Sequence, residues 1–229
     1  MSSFALLCAL PPEAAAAWAG LRRAGSTGRL SFVGMGPRRA KRAAARLASV
    51  LPDGLPVVVM GVGGALVGGF VPGELVVANA IGSAGSDADG SLTVTRPPAA
   101  LPARSSAFSD QVAAALSARY PCRQAAVLSA GRTARGPERL SLGAASAAVL
   151  CDTESYWLSR LAERRPFAVV RSVVDSPERE LVSLRTVTGG VTALRRLAGA
   201  AGVISSLLER QPVPVSPVSP VSPYSPYSP

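Results

Sequence analysis

Histidine is absent from all 229 residues, and that one absence removes more chemistry than most motifs could add. Without an imidazole there is no Ser-His or Cys-His nucleophile pair. The three cysteines, Cys8, Cys122 and Cys151, are too far apart in sequence for a Cys-x-x-Cys zinc or redox motif, so no metal and no cofactor is expected. Acid–base work at neutral pH falls to the 14 Asp and Glu residues. Aromatic residues are scarce, at 5%, so the core must rest on Ala, Val and Leu, whose small side chains bring helices close to a sheet. No basic stretch precedes the first apolar run, which argues against a signal peptide and for a cytoplasmic protein.

Carboxylates are also outnumbered: 24 Lys and Arg leave a formal charge of +10. Such a charge invites nucleic acid, but the arginines are dispersed. The densest cluster, PRRAKRAAAR at 37–46, has no interleaved aromatics and reads as a solvated helix face, so no nucleic-acid partner is expected. The same charge suits contact with an anionic membrane surface. Residues 54–73 form an uncharged run of membrane-spanning length, yet two prolines and seven glycines interrupt it. It reads as a buried strand feeding a glycine-rich loop.

What the chain does have is alternation. Strand-like FALLCAL, LSFVGM and PVVVMGV alternate with helix-like EAAAAWAGLRR and RRAKRAAARLASVL. ELVVANAI, SLTVT, AAVLSA, AAVLC and FAVVRSVV supply further strands, with helices expected at 106–119, 153–165 and 190–209. This pattern predicts an α/β fold of three layers, αβα, around a mixed, largely parallel sheet. Residues 1–210 form one domain. From Gln211 the repeat PVPVSPVSPVSPYSPYSP has no charge and cannot make a helix or a central strand, so 211–229 reads as a low-complexity tail.

Ligands of open α/β sheets bind at the carboxyl ends of strands. The segments expected there are Glu13 behind a Pro-Pro pair, GMGPRR, GVGGAL, SAGR at 129–132, CDTES at 151–155 and RSVVD at 171–175. Each has a structural explanation of its own: Glu13 as a helix-start residue, the glycines as tight turns, Arg171 and Asp175 as an ion pair. A carboxylate where a buried strand emerges must nonetheless be hydrogen-bonded, paired or kept for chemistry.

Taken in order, ALPPEA, GVGGAL followed by VPGELVVANAI, then CDTES and PFAVVRSVVD resemble the purine nucleoside phosphorylase and methylthioadenosine/S-adenosylhomocysteine nucleosidase superfamily over most of residues 4–208. The most specific part is the C-terminal pair, a Val-Asp-Met-Glu-Ser-like run and an apolar strand ending Arg-x-x-x-Asp. Within the superfamily, GMGPRRA and ESYWLSRLAERRPFAVVRSVVDSP look most like hopanoid-associated phosphorylases, which are implied to release adenine from adenosylhopane and leave ribosylhopane. Methylthioadenosine/S-adenosylhomocysteine nucleosidase, futalosine hydrolase and true phosphorylases are the rival readings within the enzyme class. Outside it stands a non-catalytic basic protein associated with nucleic acid or membrane.

The resemblance implies roles. Asp175 would protonate or hydrogen-bond N7 of adenine, with Arg171 nearby as its support. Glu154 would bind the ribose hydroxyls, with Asp152 and Thr153 beside it in the substrate pocket. Glu13 would position or deprotonate the attacking water. Gly63 and Gly64, together with Ala130 and Gly131, would complete the substrate site, and the enzyme would be a homo-oligomer acting on an adenine nucleoside. Were phosphate the co-substrate, Arg38 and Arg39 would hold it, although Glu13 stands where a bacterial phosphorylase carries an arginine, which favours water. The chain departs from the pattern at Val62, where relatives have serine, and at Thr153, where they have methionine. Arg132 and Thr133 occupy the region of the aromatic that usually stacks on the base.

Overall fold

Eight strands carry the fold in the computed structural model, which describes residues 3–178 and 185–210; the Pro/Ser repeat lies outside those residues. The strands are β1 (Ala5–Cys8), β2 (Arg29–Phe32), β3 (Val57–Ala65), β4 (Leu75–Ser86), β5 (Leu92–Ala100), β6 (Cys122–Ala130), β7 (Leu150–Asp152) and β8 (Phe167–Asp175). The helices are α1 (Pro11–Arg23), α2 (Pro37–Val50), α3 (Ala103–Ser117), α4 (Pro137–Ser146), the single turn α5 (Ser155–Leu158) with a 3-10 turn at Ser159–Glu163, and α6 (Arg185–Arg210).

The sheet is mixed. β1 runs parallel to β2 and β3, β3 to β8, β6 to β4 and β7, while β3–β7, β4–β5 and β4–β8 are antiparallel. The two long strands change neighbours along their length. β1 covers Val57–Val59 of β3, and β7 takes over at Gly64 and Ala65. On β4, β8 pairs with Leu75–Val77 and β5 takes over from Ala80. The path β3–β8–β4–β6–β7 therefore returns to β3, and the sheet closes into a barrel-like ring with β1 and β2 as an outward extension.

Side-chain alternation along the strands divides the core between two helical layers. Val57 and Val59 of β3 face Ala40, Ala43, Ala44 and Leu47 of α2 and Leu158 of α5. Val58 and Met60 face Ala17 and Leu21 of α1, Val112 and Leu116 of α3, and Leu197, Ala201 and Ile204 of α6. Small residues set the spacing, as the shortage of aromatics requires. At Gly20 a Cβ would stand 2.0 Å from the Ala198 carbonyl oxygen, so α1 and α6 touch backbone to backbone there. Residues Thr188–Arg210 of α6 have the length and mean hydropathy, 1.3, to cross a membrane, but their apolar side packs on this core.

Several expected boundaries move, each for a local reason. GVGGAL is no loop: β3 runs through its glycines to Ala65. The strand expected at AAVLC begins only at Leu150, because Ala147 adopts a left-handed conformation (φ 55°) that ends α4, a helix not expected at all. β5 extends past SLTVT through Pro97 and Pro98, which an edge strand tolerates because their missing N–H groups are not needed by a second neighbour. The helix expected over 153–165 contracts to one α-turn and a 3-10 turn.

Arg165, 1% exposed, fixes the layer that carries α2. Its guanidinium donates to the carbonyls of Ala48 (3.1 Å), Leu51 and Pro52 (3.1 Å), at and just beyond the end of that helix, where carbonyls lack intrahelical partners. Arg165→Met keeps the aliphatic volume and strands these carbonyls. We expect a loss of roughly 1.5–3 kcal/mol, seen as a fall in Tm of about 3–12 °C by circular dichroism for a chain of this size.

Candidate active site

At the carboxyl ends of β1, β3, β7 and β8 lies a cavity of about 220 Å³. Of the residues singled out in the sequence, Glu13, Gly63, Gly64, Asp152, Thr153, Glu154 and Asp175 line it. Arg171 lies beneath its floor, fully buried. The 129–132 segment contributes through its continuation, Thr133 and Ala134, rather than through Ala130 or Gly131. Arg38 and Arg39 belong to the exposed face of α2 and do not reach the cavity; Arg39 instead folds over Gly34, where a Cβ would lie 2.7 Å from its Cδ.

Glu13 is placed by the start of α1. After Leu10, Pro11 and Pro12 open the helix without needing N–H partners. Glu13 Oε2 accepts from the backbone N–H groups of Ala9 (3.1 Å) and Leu10 (2.8 Å). Its Oε1 accepts from Val62 N–H at 2.8 Å, so the same carboxylate that starts the helix ties it to β3. Val62 thus gives the site a backbone donor and no side-chain hydroxyl.

The CDTES segment is built around Asp152. Its Oδ1 accepts from Ser129 Oγ and from the backbone N–H groups of Glu154 and Ser155, both at 3.1 Å. Its Oδ2 accepts from Ser155 Oγ and forms an ion pair with Arg171 Nε at 2.8 Å. Asp152 shapes the wall while its oxygens serve protein donors. This turn aims Glu154 into the cavity. Glu154 Oε1 accepts from Gly36 N–H at 2.9 Å and from Thr153 Oγ1, and Oε2 lies 3.5 Å from Arg171 Nη2.

Arg171 anchors this half of the site. Its Nη2 donates to Ser155 Oγ at 2.9 Å, and its Nη1 rests against Gly61, where a Cβ would stand 2.2 Å from Nη1 and 2.7 Å from Glu13 Oε1. Burial disfavours the guanidinium charge, but the fields of Asp152, Glu154 and Glu13 outweigh it and hold its pKa above the ordinary value. Glu154 is pushed above the usual carboxylate range, first by burial and then by the charge of Asp152; Arg171 and the bonds from Thr153 and Gly36 offset this only in part. Burial likewise pushes the Cys8 and Cys151 thiols up to about 12, so neither serves as a thiolate nucleophile at neutral pH.

Arg171 does not support Asp175, contrary to the sequence-based expectation, and the reason is a bulge. Gly61 pairs with Arg171 and Gly63 with Val173, but Gly64 pairs with Asp175, leaving Val174 as an extra residue in β8. Regular alternation would put residues 171 and 175 on one face; the extra residue turns Asp175 to the other. There its partner is Arg139 of α4, in an ion pair whose members are 2% and 1% exposed. Arg139 was missed because it lies in an unpredicted helix and outside every motif. Its only sequence signal was a charged residue just inside a Pro-started turn, PERL. Among the described residues, no group of His, Cys, Asp and Glu is arranged to hold a metal ion.

No protein-family model matches this sequence, and no curated protein matches it. Solved structures do. Methylthioadenosine/S-adenosylhomocysteine nucleosidase from Helicobacter pylori is 14% identical, with a TM-score of 0.70, covering 92% of this chain and 99% of that one. Futalosine hydrolase of Helicobacter pylori is also 14% identical, with a TM-score of 0.70 over 92% and 98% of the two chains. The methylthioadenosine/S-adenosylhomocysteine nucleosidase of Neisseria meningitidis is 17% identical, with a TM-score of 0.69 over 90% and 100%. The likeness is one of fold: this chain has the nucleoside phosphorylase-like fold of purine nucleosidases.

Gly61 gives a direct test of the packed charge cluster. Gly61→Ala drives a methyl into Arg171 and Glu13, whereas a Cβ at Gly131 meets nothing within 4 Å. Gly61→Ala should cost several kcal/mol by breaking buried ion pairs, and Gly131→Ala should melt close to wild type in a thermal denaturation series.

Proposed function

We propose that the chain is a purine nucleosidase that hydrolyses the N-glycosidic bond of an adenine nucleoside. The observation that carries this reading is the charge of the cavity. Four acidic residues line it, Glu13, Asp152, Glu154 and Asp175, against two guanidiniums, Arg139 in the lining and Arg171 beneath the floor, both already paired with these carboxylates. Such a lining repels phosphate and suits a neutral nucleophile, water.

Breaking the bond between C1′ and the purine nitrogen sends its electron pair to the base and leaves positive charge on the sugar. Glu154, deep in the wall, accepts hydrogen bonds from the ribose hydroxyls and stabilises that cation. Asp175, a carboxylate paired with Arg139 in the free site, takes up a proton from solvent as the nucleoside binds and passes it to N7 as the purine leaves. Glu13, whose oxygens are fixed by three backbone N–H groups, orients the water and takes its proton as oxygen bonds to C1′. The proton that Asp175 loses and the one that Glu13 gains are restored by exchange with solvent.

The apolar rim supports a finer reading. Met35, 56% exposed, lines the mouth, and Phe32, 52% exposed, lies close by in sequence, ahead of the cationic face of α2. This combination favours an apolar 5′ substituent, as in adenosylhopane presented at an anionic membrane surface. Adenine release from adenosylhopane, methylthioadenosine and S-adenosylhomocysteine in parallel tests it; equal turnover of all three would remove the apolar preference.

Adenine should appear in phosphate-free buffer with free ribosyl product. Strict dependence on phosphate and a ribose 1-phosphate product would overturn hydrolysis. Asp175→Asn should lower kcat/KM by about 10²- to 10⁴-fold, the usual contribution of general acid catalysis, and retention of near-wild-type turnover would refute its role.

The pKa of Glu154 lies above its ordinary 4.5. Its carboxylate form is lost as pH falls through this raised value, so kcat/KM should drop on the acid side above about pH 4.5, and Glu154→Gln should abolish that limb. The folded state also holds this proton more tightly than the unfolded chain, so the stabilisation it gives is present at low pH and lost as pH rises through the raised pKa. Glu154→Gln should therefore flatten that part of the stability profile measured by urea titration.

A further inference from the structure

Arg139 is 2% exposed, and its three guanidinium nitrogens reach three different segments. Nε donates to the Ala134 carbonyl at 3.0 Å, Nη1 to the Ala65 carbonyl at 3.3 Å and Nη2 to Asp175 Oδ2. Each contact lies on or beside a different wall of the cavity: the segment after β6, the end of β3 and the end of β8. A guanidinium is the side chain suited to such a junction, since its donors are fixed in one plane and its charge is permanent.

The bulge at Val174 makes this junction necessary. It carries Asp175 away from the Arg171 cluster to the side where a Cβ on Gly64 would stand 2.7 Å from Asp175 Oδ1 and 3.2 Å from Arg139 Nη2. Gly64 thus leaves room for the pair. With Oδ2 held by Arg139, the orientation of the carboxylate is fixed, and the plane of the pair is set from α4.

We propose that Arg139 is the positioning residue for the leaving-group side of the site: it orients Asp175 toward the purine and receives, as counter-ion, the charge left on Asp175 once its proton has passed to N7. This inference rests on the purine nucleosidase reading. A residue that acts through Asp175 must lose its effect when Asp175 can no longer ionise, whereas a residue that only holds walls together must not.

The test is a double-mutant cycle with purine release and purine binding as readouts. Arg139→Gln should lower kcat/KM about 100-fold, the scale of a small misplacement of a reacting group, while KM changes much less. In an Asp175→Asn background the same replacement should cost less than about threefold. Guanidinium chloride at millimolar concentration should restore activity to Arg139→Gly at least tenfold, since Arg139 itself borders the cavity. Losses that multiply across the cycle, or an Arg139→Gln enzyme within a few-fold of wild type, would overturn the proposal.

Should Arg139→Gln fail to fold, Arg139→Lys, which keeps the charge but not the planar fork, takes its place in the same cycle. Should wild type release no purine from any nucleoside tested, the nucleosidase reading fails on its own, and adenine binding by calorimetry decides the positioning role. Arg139→Gln should then weaken adenine about tenfold, and not further when Asp175 is Asn. Unchanged affinity, or a wild type that binds no adenine, would reject it.

Discussion

A guanidinium with no access to water, surrounded by three carboxylates, governs this molecule. Removing Arg171 from solvent costs several kcal/mol unless partners replace the lost hydration, and Asp152, Glu154 and Ser155 do so directly while Glu13 faces it across Gly61. The dependence runs both ways. The carboxylates would be intolerable at their depth without the cation, and α1, β3, the CDTES turn and β8 are brought into register by the need to keep the four charges together. The catalytic arrangement proposed for Glu13 and Glu154 is thereby inseparable from the stability of the fold around it.

The second charged pair, Arg139 with Asp175, is segregated from the first by β3. The glycine-rich end of that strand presents Gly61 to one cluster and Gly64 to the other, and only residues without a Cβ admit charged groups so close on both sides. This explains a composition that in the sequence looked like a loop. The glycines are there because side chains from elsewhere occupy the space their own would take.

Much of the layout was legible. Alternation of apolar runs and Ala-rich helices predicted the α/β layers, because strand periodicity and helix propensity are local properties. Glu154 and Asp175 stood out because carboxylates where apolar strands end require a reason, and Glu13 because it opens a helix behind a Pro-Pro pair; all three line the cavity. What escaped was non-local. The bulge at Val174 depends on how β8 pairs with β3 and inverted the expected partnership of Asp175; no feature of RSVVD alone announces it. Helix α4 escaped because its short run, PERLSLGAAS, has a weak apolar stripe and ends in a left-handed alanine. Arg139 was hidden with it. Arg38 and Arg39 were proximate in sequence to GMGP, but the helical turn beyond Gly36 directs them to solvent.

Helix α2 is tethered at both ends to the stretch between β7 and β8. At its start the Gly36 N–H meets Glu154, and at its end the last carbonyls meet Arg165. The signs match the helix dipole, an anion at the positive end and a cation at the negative one. Over fourteen residues this makes a strut of about 21 Å, at 1.5 Å per residue. A strut clamped at both ends transmits displacement instead of absorbing it. Anything that pushes on the exposed cationic flank of α2 will be felt at Glu154, and anything that displaces Glu154 will be felt along that flank.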